Sequence, residues 1–210
     1  GTEEPTVEKE IEVITQLIAQ GVDGIAVIAS DFDALEPILS QAMGKGIAVV
    51  TFDSAANPDS RVVHVEQASI DLVGRMQMQS ALAICGGAGS TGTIGILSAQ
   101  PESQLHADWC AAMLKEVEDH PDDYKNITVL PIAYGDDLPD KSTTEAQAML
   151  QNYPDLDAII SPTTVGILAA AKVIQDMGSD CKVTGVGLPS EMAPYTEHGI
   201  CYDCSLWNPY

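Results

Sequence analysis

Residues 158–171 read Ala158-Ile159-Ile160-Ser161-Pro162-Thr163-Thr164-Val165-Gly166-Ile167-Leu168-Ala169-Ala170-Ala171. A short apolar run stops at Ser-Pro-Thr-Thr and passes into an alanine-rich stretch of helical length: a strand, a polar strand end and the helix after it. The same unit recurs outward in both directions. Strand-length apolar runs lie at 25–28, 47–50, 93–97, 127–130, 158–160 and 182–186, with a shorter extended piece at 62–65. Helix-length stretches lie at 8–20, 33–44, 69–84, 107–119, 142–152 and 165–177. Most of the strand runs are β-branched and nearly continuous, as expected of strands covered by helices on both faces, so the pattern predicts an α/β fold with parallel sheets. In the first helix Ile11, Ile14, Leu17 and Ile18 recur at helical spacing and Gly21 supplies a C-terminal cap.

Function in such a fold is read where the strands end. Ligands of open parallel sheets bind beyond the carboxyl ends of strands, where loops and helix N-termini carry unpaired donors. The strand ends here are Ser30-Asp31, Thr51-Phe52-Asp53-Ser54, Ser98-Ala99-Gln100, Tyr134-Gly135-Asp136-Asp137, Ser161-Pro162-Thr163-Thr164 and Leu188-Pro189-Ser190. Short, polar and mixed, they suit a neutral polyol: a carboxylate accepts from adjacent hydroxyls, and threonine or a main-chain amide donates.

Charge narrows the partners. Nine Lys+Arg against 31 Asp+Glu leave a net charge of -22, while 45% of the residues are hydrophobic, so the chain is acidic yet buries a core. A field of that sign repels nucleic acid and anionic membrane surfaces; its plainest reading is solubility. The 210 residues amount to one large domain or a domain and a half. No apolar run is long enough to span a bilayer. Gly1-Thr2-Glu3-Glu4-Pro5 has neither the basic start nor the apolar stretch of a signal peptide, so an export signal is expected outside these residues.

Four patterns look like chemistry and are weighed against plainer readings. Gly87-Ala88-Gly89-Ser90-Thr91-Gly92 has dinucleotide-fingerprint spacing, but it follows a helix and precedes a strand, the reverse of what that site needs, and reads as a turn. Cys201-Tyr202-Asp203-Cys204 has the spacing of half a zinc site; in an extended segment positions three apart face opposite sides, so the thiols are not expected to converge. The five cysteines read as structural, with a pairing of one of this pair to Cys181 or Cys110 left open. His64, His106, His120 and His198 have no metal spacing, and Asp136-Asp137 reads as a solvated turn before an acid/base pair. No Gly-x-Ser-x-Gly elbow is present.

Four stretches carry a resemblance. They are Tyr134-Gly135-Asp136-Asp137-Leu138-Pro139-Asp140-Lys141-Ser142, the run from Tyr153 to Ala171, and Gly185-Val186-Gly187-Leu188-Pro189-Ser190-Glu191-Met192, continued by Leu206-Trp207-Asn208-Pro209. With these the chain resembles type I periplasmic sugar-binding proteins of ABC importers, above all the rhamnose-binding ones, with autoinducer-2-binding proteins as near relatives. The resemblance implies two doubly wound parallel-sheet lobes around a ligand cleft. It implies that Asp53 is the first lobe's sugar-binding aspartate, that Pro162, Thr163 and Thr164 meet the ligand from the second lobe, and that Trp207 and Asn208 close beside the sugar. Asp137 is expected to be a further acceptor. Leu105 and His106 replace amide or acid residues of the relatives, where Leu105 can pack a deoxysugar methyl and His106 can donate to a hydroxyl.

The resemblance further implies an internal fragment. Residues 1–65 are expected to be part of the first lobe, without its first βαβ unit and closing segments; 66–205 the second lobe; and 206–210 the start of the return. The function expected is that of a non-enzymatic solute receptor for a small neutral sugar, rhamnose or a related deoxyhexose. It is expected to be periplasmic or anchored at the cell surface, monomeric at full length, and to serve an ABC permease without cofactor, metal, nucleic acid or membrane insertion. The alternatives are an autoinducer-2-type signal receptor, the effector lobe of a LacI-type repressor, against which the charge and the lack of a basic arm argue, and, more remotely, a sugar-converting enzyme.

Overall fold

The structure is a computed structural model and describes residues 6–206. By contacts the described residues form two compact units: residues 6–68 together with Glu102–Leu105, and Ser69–Pro101 together with residues 106–206.

The first unit contains α1 (Val7–Gln20), β1 (Gly24–Val27), α2 (Glu36–Gly44), β2 (Ala48–Phe52), a 3-10 turn at Pro58–Ser60 and β3 (Val63–Val65). Its strands are parallel in the order β1-β2-β3, with Ile25 opposite Val49 and Thr51 opposite His64. Thr6 caps α1 by accepting from the Lys9 amide, and Gly21 ends it at φ 68°, a left-handed turn that glycine adopts without steric cost. Ile14 and Ile18 of α1 meet Ile25, Leu39 and Val49 in one apolar cluster. The second helix begins later than its apolar pattern because Asp31 Oδ1 accepts from the amides of Asp33 (3.0 Å) and Ala34 (2.7 Å), closing a turn first.

The second unit runs α3 (Ile70–Ile84), β4 (Gly92–Ser98), α4 (Gln104–Asp119), α5 (Pro121–Tyr124), β5 (Ile127–Val129), β6 (Ala133–Tyr134), α6 (Pro139–Asn152), β7 (Ala158–Ser161), α7 (Thr164–Met177), β8 (Lys182–Val186), α8 (Pro189–Glu197) and β9 (Cys201–Ser205). Its strands are all parallel, in the order β5-β4-β7-β8-β9, with β6 pairing the carboxyl half of β4. Both faces are covered. Ile94, Ile96 and Ile160 pack with Met78 of α3 and Met113 of α4, while Leu97, Ile159 and Val183 pack with Met149 of α6 and Ile174 of α7. This is the doubly wound α/β architecture expected, and the glycine-rich stretch is indeed the turn between α3 and β4.

One expectation about cysteine is corrected, and the pairing left open is decided. In β9 Cys201 lies opposite Val183 but Asp203 lies opposite Thr184, so Tyr202 is an extra residue without a partner, a β-bulge. The bulge shifts the side-chain alternation by one, so Cys201 and Cys204 both pack on the cluster under α7, with Cys201 Sγ donating to Asp203 O at 3.2 Å. They therefore converge. All five cysteines are free thiols, so neither Cys181 nor Cys110 forms a disulfide. Among the described residues, no group of three or more His, Cys, Asp or Glu side chains is placed to hold a metal ion, and no helix is long and apolar enough to cross a membrane.

Candidate functional site

Strand order locates the crevice of the second unit. From β4 the chain moves to β5 and β6 on one side, then to β7 on the other; α4 covers one face and α6 the opposite one. Connections that leave a strand to opposite faces diverge, and the carboxyl end of β4 is such a switch point. Three loops meet there. Gly135 N donates to Ser98 O (2.9 Å), Asp136 N to Ala99 O (3.3 Å), and Ser161 Oγ to Leu97 O (2.8 Å), so the loops after β6 and β7 are both tied to the end of β4. Gly135 is required by space: a Cβ there would lie 2.2 Å from Ser142 Oγ.

Backbone strain picks out the polar groups. Among the described residues the non-glycine residues with left-handed φ are Asp53 (62°), Asp136 (52°) and Asp137 (55°). Each follows a strand directly or within three residues, β2 for Asp53 and β6 for the other two. Such a conformation costs on the order of 1–3 kcal/mol and persists where the surroundings over-determine it, commonly at ligand-binding positions. Asp136 pairs with Lys141, Nζ to Oδ2 at 2.5 Å. Asp137 is exposed, and its Oδ1 accepts from Thr163 Oγ1 at 2.5 Å. Thr163 is 3% exposed and accepts in turn from Gly166 N at 3.1 Å as the N-cap of α7. Its hydroxyl thus links the carboxylate to the start of the helix.

The other candidate residues divide by position. Pro162 is buried between β7 and α7; Thr164 is partly exposed and lines a groove of about 360 Å³ with Pro139, Thr143, Leu168 and Leu188, at the first turns of α6, α7 and α8. Leu105 and His106 sit in the first turn of α4: Leu105 is buried, and the half-buried His106 ring meets Trp109 edge-on with centroids 5.5 Å apart. Asp53 belongs to the first unit, its amide donating to Val65 O at 3.3 Å. Trp207 and Asn208 lie outside the described residues. Ser30, another polar strand end, is used structurally: its amide and hydroxyl both donate to Glu10 Oε2. Sequence reasoning passed over Lys141 and Ser142, which brace the Asp136 turn; the signal was the glycine before two aspartates with a lysine five residues beyond Asp136.

Parallel doubly wound units of this kind make up the type I periplasmic binding protein fold. The chain belongs to the periplasmic binding protein domain family, whose model matches residues 1–210. It is 41% identical to an ABC transporter solute-binding protein of Clostridium phytofermentas with bound L-rhamnose, over 92% of this chain and 60% of that one, with a TM-score of 0.85. It is 35% identical to a sugar ABC transporter protein of Actinomyces odontolyticus, over 98% and 65% of the two chains, with a TM-score of 0.72. Among curated proteins, the D-ribose/D-allose-binding protein of Pseudomonas aeruginosa is 24% identical over 193 residues, 88% of this chain and 57% of that protein. The chain therefore spans about three fifths of the length of these relatives.

Proposed function

We propose that the protein is the solute receptor of an ABC importer and binds a small neutral sugar, L-rhamnose first among candidates, outside the cytoplasmic membrane. The observation that carries this reading is the placement of Asp53 and Asp137 at strand carboxyl ends in left-handed conformation, acceptors positioned for hydroxyl groups. The rhamnose-bound relative at 41% identity directs the choice of sugar. Pro162, Thr164, Leu105, His106, Trp207 and Asn208 complete the proposed set, with Leu105 available to the methyl of a deoxysugar. Binding is favoured over turnover because Asp136, the carboxylate that would partner Asp137 in acid/base chemistry, is paired with Lys141.

A thermal-shift panel on the natural full-length protein tests this. L-rhamnose is expected to raise Tm, D-ribose and D-allose to raise it less, and the autoinducer-2 furanose to compete weakly. No shift with any of the sugars would sink the reading, and a larger shift with the furanose would replace it with a signal receptor.

A further inference from the structure

The loop after β6 is built to hold one carboxylate. Gly135 and Asp136 are pinned by their amides to the end of β4, Asp136 is clamped by Lys141, and the Leu138 amide closes the turn on Gly135 O at 2.9 Å. Two consecutive left-handed residues then project Asp137 toward β7, where the buried Thr163 hydroxyl reaches it. A hydroxyl has one hydrogen and two lone pairs. The Thr163 hydrogen goes to Asp137 and a lone pair to Gly166 N, so this side chain has no donor left for a ligand.

We propose that Thr163 is a positioning residue rather than a sugar contact. It fixes the rotamer of Asp137 so that Oδ1 is occupied and Oδ2 is presented to a single ligand hydroxyl. This rests on the sugar-receptor reading and deepens it: the second unit recognises the sugar here through one hydroxyl taken by one carboxylate oxygen, and the register of that oxygen is set by the start of α7. Removing the Thr163 hydroxyl frees Asp137 to rotate, so affinity falls although no ligand contact has been deleted.

The test is a double-mutant cycle in the natural full-length protein, with L-rhamnose binding followed by calorimetry and Tm recorded without sugar. D137N is expected to weaken binding about tenfold or more, as for loss of a hydrogen bond to a charged group. T163V is expected to weaken it by a similar factor, the double variant to bind no more weakly than D137N, and T163S to regain most of the loss. Binding by T163V within about twofold of wild type, or losses that multiply in the double variant, would overturn the positioning role. Failure of the wild type to bind L-rhamnose, D-ribose or D-allose would instead sink the sugar-receptor reading. The sugar-free cycle stays informative in that case: Tm shifts of T163V and D137N that simply add would show that Thr163 does not hold Asp137.

Discussion

Cys85 and Cys201 are pushed up to about 11 and Cys181 to about 12, each chiefly by burial, with the Asp157 charge adding to the effect at Cys85 and Cys181. A thiol whose folded pKa exceeds its unfolded value keeps its proton in the native state after the unfolded chain has lost it. Native stability from this source is complete below about pH 9 and falls as pH rises toward the folded values. Urea midpoints are therefore expected to stay level between pH 7 and pH 9 and to decline above that; a profile flat to pH 10.5 would show that these thiols are not buried as described. The same thiols show how far residue types carry. The convergence of Cys201 and Cys204 was not legible, because it depends on one unopposed residue, Tyr202. The position of Asp53 at a strand end was legible. Its left-handed backbone, like that of Asp136 and Asp137, leaves no composition signal, since aspartate is ordinary in any polar turn.

Helices and strands with strong periodicity were read correctly, and the misses share a physical cause. Strand β6 has only two residues, set off from β5 by Pro131, which lacks the N–H a ladder needs; α8 carries Pro194 inside it and has little apolar periodicity. Helices α3 and α4 pack so closely that Gly74 has no room for a side chain, a Cβ there lying 2.5 Å from both Ala112 Cβ and Trp109 O. Gly74→Ala gains roughly 1 kcal/mol of helix propensity but must push the two helices apart, an overpacking cost of about 1–3 kcal/mol. A net destabilisation is expected, read as a Tm lower by a few degrees, and an unchanged or raised Tm would mean that the helices are not in contact at this point.

At the scale of the whole chain, the net charge of -22 dominates. Self-repulsion of that size is screened by salt, the Debye length falling from about 30 Å at 0.01 M to about 10 Å at 0.1 M. Raising ionic strength over that range is expected to raise Tm; a lower Tm would mean that attractive pairs outweigh repulsion. The exposed pairs Lys9–Glu12 and Lys115–Asp119 argue against that, being worth little individually. The parallel α/β class was legible because buried strands require continuous apolar runs, whereas the choice of sugar was not, since hydroxyl stereochemistry is recognised by the relative placement of side chains far apart in sequence. Whether carboxylates at strand ends receive a sugar is decided by calorimetric titration of the natural full-length protein with L-rhamnose. One saturable site in the wild type that is lost in Asp53→Ala, with Tm retained, is the result the account predicts; unchanged binding by the folded Asp53→Ala variant, or no heat from the wild type, would contradict it.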